Sequence, residues 1–424
     1  MSGNPERGES ANSALIAANV GNAIEFYDWM AYALLVPYFG SQFFPSSDPA
    51  AVLMASFAVF AAGFLARPLG AVFLGRYIDR HGRRPGLILS VVLIVIATLG
   101  MAVAPTYDTV GALAPALLVV LRLTQGFALG PEFGGSATYL IESAPEHRRG
   151  LFASTYMSTV ALGTVAVSLL ITILELFFDE AQMDKFGWRI VFAVGALLAV
   201  IGLLLRRNMP ETDSATPDER LERTPYAVLW REHRLECFRI LLLSGAGLVV
   251  MYGMVSLLPS FGPTFTDLPV ETASFIGTVG FMVMLLASPL FGLLSDRIGR
   301  VWTLRVFAIS GAVLCVPAFA LLNGQPGPQI VAQLLAVLLL CAWAAGSVTS
   351  FPEMLAPSVR ATGVSAPFGI AAAVFGGFAP LAATALSTGY GTVAAGVLVA
   401  AFCAIGGLAT IKMRETAFTP LRTD

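Results

Sequence analysis

Apolar runs of membrane-crossing length recur from one end of the chain to the other, separated by short polar connections and one longer charged one. About 20 apolar residues in a helix cross the roughly 30 Å of hydrocarbon in a bilayer. Twelve runs meet that need, at 14–40, 50–74, 86–103, 111–140, 151–177, 188–205, 237–259, 271–294, 301–322, 329–351, 361–385 and 391–411. A backbone in lipid must satisfy its own hydrogen bonds, so runs of this length read as helices. The pattern predicts an all-α membrane protein with twelve transmembrane helices. Its organisation is an N-terminal tail (1–13), a six-helix bundle (14–205), a charged linker (206–236), a second six-helix bundle (237–412) and a C-terminal tail (413–424). The linker carries Pro210, Pro217 and Pro225, with a short surface helix expected at 226–234.

Composition agrees: 56% of the 424 residues are hydrophobic and 12% charged, whereas about a quarter are charged in a soluble domain. The basic residues fall on alternate connections, at Arg76–Arg84, Arg148, Arg149, Arg206, Arg207, Arg297, Arg300, Arg360, Lys412 and Arg414. Positive loops stay in the cytoplasm, which places both termini there. Lys185 alone lies in a far-side loop, with Arg189 entering the next helix. MSGNPERGES carries no cleavable secretory signal. Cys237, Cys315, Cys341 and Cys403 lack metal or disulfide spacing and read as small core residues. His81, His147 and His233 form no metal set, and no nucleophile elbow, Walker motif or dinucleotide loop is present. These features argue against an enzyme, a bound cofactor or metal, and a nucleic-acid partner.

Two loops repeat. Gly75, Asp79, Arg80, Gly82 and Arg83, followed by Arg84, recur at one constant offset as Gly292, Asp296, Arg297, Gly299 and Arg300. Glu142, Pro145 and Arg148 recur at nearly the same offset as Glu353, Pro357 and Arg360. Two loop correspondences imply a duplication, hence two pseudo-symmetric halves of the kind used in alternating access.

The polar residues inside the runs are the candidate chemistry. Glu25 and Asp28 are three apart, on one helical face of the first run. A lone ionised carboxylate costs several kcal/mol in lipid, so both must face the bundle interior, be protonated or be paired. Arg122, Gln125 and Glu132 lie in the fourth run among Gly126, Gly130, Gly134, Gly135 and Ser136, a density of small residues that implies close helix contact or a cavity wall. Tyr27, Tyr32, Tyr139, Tyr252 and Trp343 are further cavity candidates, since a hydroxyl can bind a substrate oxygen. Arg67, near the end of the second run, reads as a snorkelling side chain, and Glu175 as an interfacial one.

The repeated loop resembles that of the major facilitator superfamily. GNAIEFYDWMAYALLVPYFGSQFFP (21–45), FLARPLGAVFLGRYIDRHGRR (64–84), RLTQGFALGPEFGGSATYLIESAPEHRRG (122–150) and VFGGFAP (374–380) narrow the resemblance to its metabolite:proton symporter branch. Within that branch the chain looks most like the citrate and tricarballylate permeases, although Pro131, Val191 and 253–263 depart from the usual pattern. The resemblance implies that Gly75, Asp79, Arg80, Gly82, Arg83, Arg84, Asp296, Arg297 and Arg300 clasp one orientation of the bundle, with Glu132 contacting the first copy. It also implies that the first and fourth spans meet at a cavity, where Arg122 binds a substrate carboxylate or pairs with Glu25 or Asp28. The expected activity is proton-coupled uptake of a di- or tricarboxylate such as citrate, by a monomer in a bacterial inner membrane. A proline/betaine-type symporter, an exporter of the same fold and a non-transporting receptor are the alternatives.

Overall fold

The computed structural model describes residues 5–81, 83–129, 132–207, 229, 231–357 and 359–421, the side chains of 5–20, 72, 75, 76, 78–81, 83, 84, 87, 132, 135 and 205–207 excepted. The regular structure is all-helical: α1 (Pro5–Phe43), α2 (Pro49–His81), α3 (Arg83–Ala102), α4 (Leu113–Ala128), α5 (Glu132–Glu142), α6 (Arg149–Phe177) and α7 (Trp188–Arg207) precede the linker. After it come α8 (Arg234–Val250), α9 (Leu258–Thr266), α10 (Val270–Ile298), α11 (Arg300–Ala320), α12 (Pro326–Glu353), α13 (Arg360–Ala371), α14 (Phe378–Tyr390) and α15 (Val393–Ala409). Among the described residues, eight helical stretches are long and apolar enough to cross a membrane, and three further apolar helices are shorter. Short connections make successive rods antiparallel. The α2–α3, α5–α6, α10–α11 and α12–α13 connections therefore gather at one end, here called the Arg-rich end.

Three rods expected to be continuous are interrupted. In the fourth, the first described helix ends at Ala128, Leu129 is a turn, and helix is described again from Glu132; Gly130 and Pro131 lie outside the described residues. The seventh passes from α8 through a π-helical turn at Met251–Val255 into α9, and the eleventh from α13 through another at Ala372–Gly376 into α14. A π turn widens the helix by one residue and leaves carbonyl groups off the regular ladder, which is why such turns concentrate beside binding sites. α1 begins at Pro5, within the expected N-terminal tail. Of the expected linker helix, 229, 231 and 232 are helical, His233 is a bend, Arg234 opens α8, and 226–228 and 230 lie outside the described residues.

Small residues set the closest approaches. A Cβ on Gly126 would strike the Gly63 carbonyl, and one on Gly70 the Phe127 carbonyl, so α2 and α4 pack backbone to backbone. A Cβ on Gly150 would lie 2.6 Å from the Gly292 oxygen and one on Gly292 2.6 Å from the Gly150 oxygen, so α6 and α10 cross glycine on glycine. Between lipid-soluble helices such contact supplies dispersion that apolarity alone cannot. An aromatic cluster of Trp29, Tyr32, Phe39, Phe57, Phe60, Phe64 and Trp188 fills the interior between α1, α2 and α7. All four cysteines are buried and free.

Candidate functional site

A cavity of about 80 Å³ lies between the N-terminal helices (before residue 207) and the C-terminal helices (after 229). Its wall takes Asn22, Glu25 and Trp29 from α1, Arg67 from α2, Phe133 and Ser136 from α5, and Tyr156 from α6. The C-terminal helices contribute Tyr252 of the first π turn, Trp343 of α12, and Ser365 and Phe368 of α13. Two of the interrupted rods thus place their irregular turns, through Tyr252 and Ala372, in the wall itself. Among the described residues, Arg67 is the wall's cation and Glu25 its carboxylate. The Arg67 guanidinium lies 4.3 Å from the Trp29 ring centroid and 4.4 Å from that of Phe64. Trp343 spends its indole N–H on the Leu243 carbonyl at 2.7 Å, which leaves its ring as apolar wall. Asn22 is oriented by a 2.6 Å hydrogen bond from its amide to Thr159.

Asp28 faces the other way, into the N-terminal helices. Its two oxygens accept hydrogen bonds from Thr98 Oγ1 and Gln125 Nε2, each at 2.6 Å, and the residue is 3% exposed. Arg122 is fully buried beside it. Its guanidinium sits 4.0 Å from the Tyr32 ring centroid, 5.2 Å from that of Trp29 and 5.6 Å from that of Phe60. None of its three guanidinium nitrogens makes a hydrogen bond among the described residues. A buried guanidinium with aromatic faces but no acceptor is costly, so Arg122 is poised to gain from any acceptor brought to it.

The cavity is closed at the Arg-rich end by contacts that run between N- and C-terminal helices. Asp296 accepts the first N–H groups of α6, from Gly150 at 2.8 Å and Leu151 at 2.9 Å, where a carboxylate also meets the positive end of the helix dipole. Arg300 holds Asp296 at 2.8 Å. Arg149 pairs with Glu353 at 3.0 Å, and Arg360 with Glu142 at 2.6 Å. The two pairs cross reciprocally: each glutamate of the repeated loop takes an arginine from the other set of helices. Phe133 and Phe368 stack at 3.7 Å over the cavity mouth. The last described residues join this closure. Glu415 accepts from the N–H groups of Arg300 at 2.8 Å and Val301 at 3.1 Å, capping α11. Thr416 donates to Glu353 at 2.5 Å, and the Thr419 carbonyl accepts from Arg149 at 3.2 Å. Gly299 has φ +104, a conformation open to glycine because it lacks Cβ, and a Cβ there would strike the Glu415 carboxylate.

The opposite end is held as well. Tyr38 of α1 donates to Glu175 of α6 and lies 3.4 Å from Ser274 of α10. Ser168 and Thr172 of α6 meet the Thr278 hydroxyl of α10 at 2.5 and 3.0 Å. Ser260 donates to the Ala33 carbonyl at 3.5 Å.

Of the sequence-predicted residues, Glu25, Tyr252 and Trp343 are in the cavity wall. Asp28, Arg122 and Gln125 are brought together, but behind the wall. Tyr27 and Tyr32 are packing residues whose hydroxyls donate to the Val191 and Ser56 carbonyls, each at 3.0 Å. Tyr139 is 39% exposed and stands outside the cavity. Glu25 and Asp28, expected on one face, look into different environments because a three-residue step rotates the side chain by about 60°. Asp296 and Arg300 sit in the closure, whereas the side chains of Gly75, Asp79, Arg80, Arg83, Arg84 and Glu132, and all of Gly82, lie outside the described residues. Arg67 corrects the snorkelling expectation: it faces inward because Trp29 and Phe64 hold it there. Glu142, Arg149, Glu353 and Glu415 were not read as a latch, although the recurrence of Glu142 and Glu353 was a usable signal. Glu175 joins the opposite-end contacts rather than merely marking an interface. Among the described residues no group of three or more His, Cys, Asp or Glu could hold a metal.

Comparison with known proteins follows the same lines. The chain is 35% identical over 377 residues to the alpha-ketoglutarate permease of Escherichia coli, covering 88% of this chain and 87% of that one. It is 31% identical over 429 residues to the proline/betaine transporter of Escherichia coli, covering 96% and 84%. Its fold is similar to that of the xylose transporter XylE of Escherichia coli in a partially occluded inward open conformation, with a TM-score of 0.72 at 18% identity over 97% of this chain and 100% of that one. Residues 18–352 match the Major Facilitator Superfamily, and with helices arranged in its fold around a central cavity, this multi-pass membrane chain belongs to that family.

Proposed function

We propose that the protein is a secondary transporter that carries a small organic anion inward with protons, by alternating access. The observation that carries this reading is a central cavity, walled by one guanidinium and one carboxylate, with cross-connections between N- and C-terminal helices at both of its ends. A transporter needs such a cavity, and it needs closures that can break one at a time. The interrupted rods count as single spans in this reading, giving twelve spans in two six-helix halves, 14–205 and 237–412, with both termini in the cytoplasm of a bacterial inner membrane. The Arg-rich end is then the cytoplasmic gate, formed by Asp296, Arg297 and Arg300 and by the first motif copy with Glu132.

The substrate class is a di- or tricarboxylate, such as alpha-ketoglutarate or citrate. The permease named for alpha-ketoglutarate supports it, as does the cation in the wall. Co-transported protons suit such a cargo, because each elementary charge crossing 100 mV corresponds to about 2.3 kcal/mol. Asp28, beside Arg122, is the proton-coupling group in this reading: binding of the proton releases the guanidinium from its nearest carboxylate. A zwitterion of the proline or betaine kind is the second reading. It is favoured by the charge balance of the wall, where Glu25 faces the same space as Arg67.

Uptake of labelled alpha-ketoglutarate, citrate, proline and betaine into proteoliposomes tests both. Stimulation of a carboxylate by an inward proton gradient supports the first reading and stimulation of a zwitterion the second. No gradient-stimulated uptake of any of the four rejects both.

A further inference from the structure

The cavity and the buried charge pair place two arginines near one indole ring. Trp29 lies 4.3 Å from the Arg67 guanidinium and 5.2 Å from that of Arg122. Arg67 stands in the cavity wall, partly exposed, whereas Arg122 is fully buried behind Trp29, Tyr32 and Phe60. In the fourth span Leu129, Phe133 and Ser136 line the cavity, and Arg122 and Gln125 do not. A molecule entering the cavity therefore meets Arg67, whereas Arg122 is fully buried and not part of the wall.

The geometry points to Arg67 as the group that receives the substrate's carboxylate, and to Arg122 as a group the substrate does not touch. This assignment rests on the transport reading above. The Arg67 guanidinium packs against Trp29 and Phe64, whose rings meet edge to face at 4.8 Å, and its planar fork suits the two oxygens of a carboxylate. Tyr252, from the C-terminal helices, is a side-chain hydrogen-bond partner of Arg67 in the wall and lies against Phe64 at 4.9 Å between ring centroids. An anion bound at Arg67 would thus contact residues from both sets of helices, which is where occupancy can bias the closures.

The test is a pair of lysine variants assayed in proteoliposomes with whichever of alpha-ketoglutarate, citrate, proline or betaine the wild-type carrier accumulates. Arg67→Lys keeps the charge and loses the planar fork, so its KM should rise about ten-fold or more while Vmax changes much less. Arg122→Lys should lower Vmax and leave KM within about two-fold, the pattern of a group that acts on a step other than binding. An unchanged KM in Arg67→Lys, or a KM rise carried by Arg122→Lys instead, overturns the assignment while leaving transport itself intact. Absence of uptake of all four compounds by the wild type overturns the parent reading, and this assignment with it. Tryptophan emission supplies a readout that needs no arginine variant. In a Trp343→Phe background the accumulated substrate should change the emission of the purified carrier, and adding Trp29→Phe should abolish that change; a change fully retained without Trp29 overturns the assignment.

Discussion

Asp28 and Arg122 form an unequal pair: the carboxylate has both oxygens occupied, by Thr98 and Gln125, while the guanidinium has only rings around it. Asp28→Asn keeps the size and one acceptor but turns an amide N–H₂ toward one of the two donors. The fold should survive, because the single Thr98 hydroxyl proton has an alternative acceptor in the Ile94 carbonyl at 2.9 Å. Proton-driven accumulation should fall by about ten-fold, the equivalent of some 1.4 kcal/mol of coupling, while exchange of labelled for unlabelled substrate persists. Counterflow beside gradient-driven uptake measures the two separately. Glu25, Asp28 and Arg122 were legible as candidates because charge inside an apolar run is expensive whatever the fold. Arg67 was not, since a basic residue near a span end has the cheaper option of reaching water, and only Trp29 and Phe64 show that it turns inward.

Among the elements, the start of α11 and the end of the chain depend on each other. Glu415 caps α11 from a segment expected to be a free tail, and Thr416 and Thr419 tie that segment to Glu353 and Arg149. Glu415→Ala leaves two N–H groups of α11 without their acceptor and should destabilise this end by about 1–2 kcal/mol, in line with lost helix caps, measurable as a lower Tm in detergent. Glu415→Gln, which retains an amide oxygen, should cost less. Glu353→Gln bears on more: Glu353 is the carboxylate between Arg149 at 3.0 Å and Arg300 at 3.7 Å. Removing one partner of a buried pair leaves the other charge stranded, and a loss of about 3–5 kcal/mol follows. The helices themselves were legible from hydropathy. The π turns were not, because the apolar composition of Met251–Val255 and Ala372–Gly376 is equally compatible with a regular helix.

At the scale of the molecule, two sets of helices meet through closures at opposite ends of one cavity. At the Arg-rich end these are charge pairs and the Phe133–Phe368 stack; at the other they are hydroxyl contacts around Tyr38, Glu175 and Thr278. If transport requires the Arg-rich end to part, joining its two sides should stop it. In Phe133→Cys/Phe368→Cys protein, bridging the pair with a short bismaleimide should abolish uptake, whereas modification with a monofunctional maleimide should leave more of it. The four native cysteines are buried, which favours reaction at the introduced pair. Continued uptake by fully bridged protein would contradict alternating access at this gate.

The chain alone determined that it is a helical membrane protein, because hydropathy, run length and loop charge reflect how each segment meets lipid or water, one segment at a time. It also determined which side chains are too polar to face lipid. Only the tertiary structure decided which of them share a space. The rotation of each rod is set by glycine contacts such as Gly63 with Gly126 and Gly150 with Gly292, between residues far apart in sequence. That rotation places Arg67 in the cavity and Arg122 behind it, and it joins Glu142 to Arg360 and Arg149 to Glu353 across the two sets of helices.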